Sequence, residues 1–76
     1  MTEKHRRAQK IGKRLVELRG IRTRAGVAQA TGIPYGSLCF YERGQRVPTD
    51  SAKVKLAAYY GLSVQELFYE LENSES

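Results

Sequence analysis

Residues 23–44 read TRAGVAQATGIPYGSLCFYERG, and the fold turns on how that stretch is parsed. Thr23 is a strong helix N-cap, and the residues after it predict a short helix over Arg24 to Ala30 with Val27 and Ala28 facing a core. Gly26 inside it costs about 1 kcal/mol relative to alanine, so this helix either leans on tertiary packing or lets another helix cross closely. Thr31-Gly32-Ile33 is then a turn, in which Gly32 supplies a positive φ and Ile33 plugs the junction. Pro34 opens the next helix, a position where its missing N–H does no harm. That helix runs to about Arg43 and buries Leu38 and Tyr41, leaving Tyr35, Gly36, Cys39 and Phe40 on its outer and flanking faces. Gly44 stops it.

Working outward, Ile11, Leu15 and Leu18 recur at i, i+4 and i+7, with Lys10, Lys13, Arg14 and Glu17 on the opposite face. This predicts a first helix from about Ala8 to Arg19, ended by Gly20, with residues 1–7 (MTEKHRR) as a flexible basic arm that holds His5 as a solvated tail residue. On the other side, Gln45-Arg46-Val47-Pro48 is a loop. Thr49 and Asp50 open a helix that reaches Tyr60 and turns Ala52, Leu56, Ala57 and Tyr60 inward before Gly61. Ser63 with Glu66 three residues later is a capping box, and Leu62 with Leu67 a hydrophobic staple, so a fifth helix starts there and ends near Glu72. Residues 73–76 are a disordered polar tail. The expected fold is therefore all-α, one five-helix domain over residues 8–72, without internal repeats.

Composition narrows the function. A chain of 76 residues with 41% hydrophobic content builds one modest core and leaves no room for an effector-binding domain. No apolar run reaches the roughly 18 residues of a membrane span and no signal-peptide pattern is present, so a soluble cytoplasmic protein is expected. The lone Cys39 makes no internal disulfide, and with a single histidine there is no zinc set; Cys39 reads as a small helix residue. No paired carboxylates, no Ser/His/Asp or Cys/His constellation, no phosphate-cradling glycine loop and no metal cluster stand out, so neither an enzyme nor a cofactor is expected. The charge is polarised. Residues 1–49 hold eleven Lys/Arg against three acids, and residues 50–76 hold two Lys against five acids. The positive part contains the two-helix stretch, which suits one polyanion-facing side.

Two short helices joined at roughly 90–120° across a glycine turn are a helix-turn-helix, whose second helix enters the DNA major groove. Over roughly residues 9–69 the chain also resembles the Cro/CI (XRE) family of helix-turn-helix repressors found in phages and bacteria. The resemblance rests on IGKRLVELR (11–19), VAQATGI (27–33), SLCFYERGQRVP (37–48) and KLAAYYGLSVQEL (55–67) in that order. It implies a five-helix, lambda-repressor-like domain and a transcriptional regulator, more often a repressor, that binds double-stranded DNA as a homodimer near the nucleoid. Carried onto this chain, the resemblance places base reading at Tyr35, Gly36, Ser37 and Phe40. Phosphate contacts fall at Thr23 and Arg24 opening the second helix and at Arg43, Gln45 and Arg46 in the following loop. It also implies a structural ion pair between Arg19 and Glu42.

Two departures stand out. The Gly20–Thr23 connection is shorter than the family's usual one, and the reading positions hold no Gln, Asn, Arg or Lys to form bidentate base contacts. Tyr35 and Phe40 would instead pack on thymine methyls, with hydroxyls from Tyr35 and Ser37, and specificity would draw on DNA shape or on the basic arm. Phe68, Tyr69 and Leu71 of the fifth helix cannot all be buried under Leu67, and are the expected dimer or partner surface. Two further readings share these features: an antitoxin that represses its own promoter and binds a toxin through helix five, and a protein-interaction module that has lost DNA binding.

Overall fold

The computed structural model describes residues 3–69, and over that span the chain is all-α. Four helices, α1 (Glu3–Arg19), α2 (Arg24–Thr31), α3 (Tyr35–Glu42) and α4 (Asp50–Tyr60), are followed by a short π-helical segment, Gln65–Tyr69. α3 packs against both α1 and α2, α4 closes on α2, and α1 reaches the terminal segment. Leu15, Val27, Leu38 and Leu56 lose all contact with solvent at the centre, with Ile11, Ile33, Leu67 and Phe68 around them. The expected core is thus largely the observed one, and Tyr60 lines its edge.

The local signals around α2 act as read. Thr23 Oγ1 accepts from the Gly26 N–H at 3.0 Å, and Gly32 has φ +77° with its N–H bonded to the Ala28 carbonyl at 2.9 Å. Thr31 extends the helix by one residue; its hydroxyl donates to the Val27 carbonyl at 2.8 Å and accepts from Ile33 N at 3.3 Å, tying the turn down. Gly26, by contrast, is exposed, and a Cβ there would meet only Thr23 Oγ1 at 3.0 Å, so no helix crosses it. The close crossing is at Gly12, on α1. A Cβ at that position would lie 2.6 Å from the Tyr41 carbonyl oxygen, 2.7 Å from that of Glu42 and 2.9 Å from Gly44 N. α1 therefore lies with its backbone directly on the last turn of α3.

Three expectations are corrected. The first helix begins at Glu3, not Ala8, so residues 3–7 of the expected loose arm are helical. Glu3 at the N-terminus suits the helix dipole, Gln9 Nε2 reaches the His5 ring at 3.2 Å one turn away, and buried Ala8 carries the apolar stripe back to that turn. Cys39 is buried rather than outward, because helices pack on α3 from two sides and the covered arc widens to take Leu38, Cys39, Tyr41 and Glu42. Phe68 is core, not surface. Phe68, the largest fully buried side chain, shares the core with the small residues Ala28, Ala52 and Ala57. Tyr69 stays partly exposed, while its hydroxyl bonds Lys53 Nζ at 3.1 Å. That ammonium, on a largely buried side chain, lies 4.9 Å from the Tyr69 ring centroid and 5.8 Å from that of Phe68, clamping the π-helical segment onto α4. Leu71 and the expected end of helix five near Glu72 lie outside the described residues.

The capping box that opens the last element is complete. Ser63 N donates to Glu66 Oε1 at 3.0 Å and Glu66 N to Ser63 Oγ at 3.0 Å. Hydrogen bonds from the Ser63 backbone and then its side chain hold the Glu66 carboxyl below its ordinary 4.5. A depressed folded value means the box contributes fully above the unfolded carboxylate's titration and is lost as pH falls through the folded value. An NMR titration should therefore place the Glu66 midpoint below 4.5, and Ser63→Ala should bring it back toward 4.5. A midpoint that Ser63→Ala leaves unmoved would assign the depression to the Ser63 backbone N–H alone, which the substitution keeps.

Candidate nucleic-acid interface

With Leu38, Cys39, Tyr41 and Glu42 turned inward, α3 presents Gly36, Ser37 and Phe40 to the outside. Phe40 is 38% exposed and central on that face; Gly36 is one turn before it and Ser37 beside it, half covered. Tyr35, at 53% exposure, projects from the helix start, where no preceding turn covers it. The four expected reading residues therefore lie together along the first turns of α3. The start of that helix is fixed by Pro34, which carries no N–H to leave unpaired, and by Ile33 buried behind it.

The segment after α3 brings the expected phosphate-binding residues alongside. Arg43 N bonds the Cys39 carbonyl and Gln45 N the Phe40 carbonyl, both at 3.0 Å, so the chain curls back over the helix end. Arg43, Gln45 and Arg46 all point to solvent. The Arg46 guanidinium carbon sits 4.6 Å from the Phe40 ring centroid, joining the loop to the helix face by a cation–π contact. Gly44 lies against α1: a Cβ there would be 2.8 Å from Gln9 Cα. Arg6 and Lys13 are exposed, about one turn either side of Gln9 on the same helix face, and so flank the loop. Arg43 and Arg46, with Arg6 and Lys13 across from them on α1, thus set positive charge beside the exposed face of α3, while Arg19 and Arg24 sit at Glu42 and Arg22 over the Tyr59 ring.

Glu42 faces the other way. Its side chain is fully buried, and Arg19 Nε reaches Oε1 at 3.1 Å and Oε2 at 3.0 Å, which is the ion pair that the resemblance implied. Arg24 Nε also reaches Oε1, at 2.8 Å. This bond, the first cause, holds the Arg24 guanidinium above its ordinary value. Arg24, expected to anchor a phosphate, uses its Nε to brace the start of α2 against the end of α3, with about a third of its side chain still open to solvent. Thr23, the other expected contact at this end, is exposed with its oxygen engaged in the α2 cap. Tyr60 borders the same cluster from α4, where burial first and the Glu42 charge second push its phenol upward. Arg19 adds a bond from Nη1 to the Arg22 carbonyl at 2.8 Å, which holds the short α1–α2 connection.

Two features of this region escaped the sequence. The pairing of Arg24 with Glu42 needs the relative placement of α2 and α3, which no local pattern gives. Gly12 did carry a signal, because it falls between Ala8 and Leu15 at i+4 and i+7, on the buried stripe of α1. Among the described residues, no helix is long and apolar enough to cross a membrane. No family model, curated protein or solved structure matches the chain.

Proposed function

We propose that this chain binds double-stranded DNA as a transcriptional regulator of the Cro/CI type. The exposed face of α3 lies in the major groove, and Arg43, Gln45 and Arg46 lie on the phosphates. The observation that carries the reading is the juxtaposition on α3. A short helix held across a turn by α2 keeps Gly36, Ser37 and Phe40 out of the core and is bordered by Arg43, Arg46, Arg6 and Lys13. Arg24, engaged with Glu42, is left out of the phosphate count, and Gln45 contributes no charge. A domain measuring 34 × 24 × 23 Å covers one half-site, so operator binding would use two copies about 34 Å apart on successive turns of the groove, acting in most settings as a repressor. Of the partner surface expected on helix five, Phe68 is buried and Tyr69 stays partly exposed.

Selection from random duplexes at about 50 and 200 mM salt tests this reading. An inverted repeat should be enriched, with affinity falling steeply as salt rises. Each phosphate contact adds about 0.9 to the slope of log affinity against log salt, so Arg43→Ala with Arg46→Ala should lower the slope by roughly 2 per protomer. Failure to bind any duplex at either salt overturns the proposal.

A further inference from the structure

We infer that the exposed aromatic rings of α3 are a stacking site for unpaired bases, so that this face also takes a single strand of nucleic acid. Such binding goes beyond the duplex reading and does not depend on it. Among the described residues four aromatic side chains are exposed: Tyr35, Phe40, Tyr59 and Tyr69. The fold accounts for two of them. Tyr59 packs edge-on against Tyr60, with ring centroids 5.0 Å apart, and Arg22 lies over its ring. Tyr69 carries the hydroxyl that holds Lys53. Tyr35, more than half exposed, has no hydrogen bond or ring contact among the described residues, and the Phe40 ring meets Arg46, itself exposed. Both stand on α3 beside Arg43, Arg46, Arg6 and Lys13, and neither belongs to the core.

The chemistry of the two rings selects an unpaired base. An open aromatic ring bordered by cations matches a nucleobase face carried on a phosphate backbone. In a duplex the base faces are stacked on one another, and the groove presents only edges. For edges α3 offers no bidentate partner: Tyr35–Glu42 contains no Asn, Gln, Arg or Lys, and its one acid is buried under two arginines. For faces it offers two rings. Tyr35 and Phe40 lie five residues apart, so the helix rise alone separates them by about 7.5 Å. That is about twice the 3.4 Å step between the stacked bases of one strand. A strand that sets one base on each ring is therefore drawn out and unstacked, a form open to a single strand and closed to a duplex. Arg46, 4.6 Å from the Phe40 ring centroid, adds a planar cation at that base. Arg43, Arg6 and Lys13 border the path of the phosphates. The site is tolerant of sequence, because every base has a π-face.

The test is fluorescence anisotropy on labelled oligo-dU and oligo-rU of about 12 nucleotides, beside a mixed-sequence duplex, each at about 50 and 200 mM salt. A single strand should bind, with a salt slope of about 0.7 per phosphate contact. Tyr35→Ala and Phe40→Ala should each weaken that binding about fivefold or more, and Phe40→Tyr, which keeps a ring, should bind as the parent does. Both positions are exposed, so the alanine variants should melt within a few degrees of the parent. The chain contains no tryptophan, so Phe40→Trp supplies a lone reporter whose emission stacking should quench. Ring-dependent binding of either oligomer supports the site, and the tighter of the two names the sugar, since both carry the same base. If a single strand is bound equally well by the alanine variants, charge alone holds it and stacking is refuted. If the duplex is bound and neither oligomer is, the stacking site fails and the duplex reading stands. If an oligomer is bound through the rings and no duplex is, the duplex reading fails and the stacking site stands.

Discussion

Gly12→Ala is expected to lower the melting midpoint by roughly 10–20 °C, although alanine is the better helix former. The three atoms that the new Cβ would meet, at 2.6, 2.7 and 2.9 Å, are all backbone: the Tyr41 and Glu42 carbonyl oxygens and Gly44 N. No rotamer change relieves them, so α1 has to move off the end of α3. Overpacking of this kind usually costs about 1–3 kcal/mol and more where the obstacle is rigid. The gain in helix propensity returns only about 1 kcal/mol. With three backbone atoms in the way the gross cost is about 3–4 kcal/mol, and a net loss of about 2–3 kcal/mol follows, read as a shift in the urea midpoint by circular dichroism. Gly36→Ala in the same assay should be neutral or stabilising, because its new methyl meets nothing within 4 Å. If the two variants melted together, the close crossing of α1 on α3 would be refuted.

Glu42→Ala should cost a comparable amount. Removing one partner of a buried ion pair typically costs about 3–5 kcal/mol, since the other charge is left without a counterion. Here the abandoned charges are not sealed in: the Arg19 and Arg24 side chains keep 18% and 32% of their exposure and can turn toward water. The expected loss for Glu42→Ala is therefore nearer 2–3 kcal/mol. Arg19→Ala should be more damaging than Arg24→Ala, because Arg19 bonds both carboxylate oxygens and the Arg22 carbonyl and is the more buried of the two. Glu42→Gln keeps the size and should fall between parent and Glu42→Ala. The reverse order of the two arginines, or a loss below about 1 kcal/mol for Glu42→Ala, would show that the cluster is peripheral to stability.

What the sequence disclosed is what local chemistry decides. Thr23, Gly32, Gly61 and the Ser63/Glu66 box each act on backbone groups within a few residues, so their spacing alone predicts the bonds observed. The exposed run Tyr35, Gly36, Ser37 and Phe40 was legible because the apolar spacing of α3 left it outside. The start of α1 was not. Residues 3–7 carry no apolar stripe, and a search for hydrophobic period finds its edge at Ala8 even though charged residues continue the helix. Phe68 was misplaced because the inward position was given to Leu67 ahead of it. The segment Gln65–Tyr69 turns both neighbours, Leu67 and Phe68, into the core, as α4 does with Leu56 and Ala57. Arg24 was assigned by its position at a helix start. Its actual partner lies 18 residues away in the chain, and only the packed structure brings the two together.

The Glu42 cluster has a consequence for how α3 meets any surface. The α2–α3 pair is joined at one end by the Gly32–Ile33 turn, and at the other by Arg24 and Arg19 on a single carboxylate. Neither helix has a free end about which to swing, although each is only eight residues long and would be marginal alone. The angle of α3 is therefore settled when the chain folds, and the entropy of fixing it does not have to be met again on association. A partner docking on Gly36 and Phe40 meets a preorganised face, which favours tight and selective contact from a very small one.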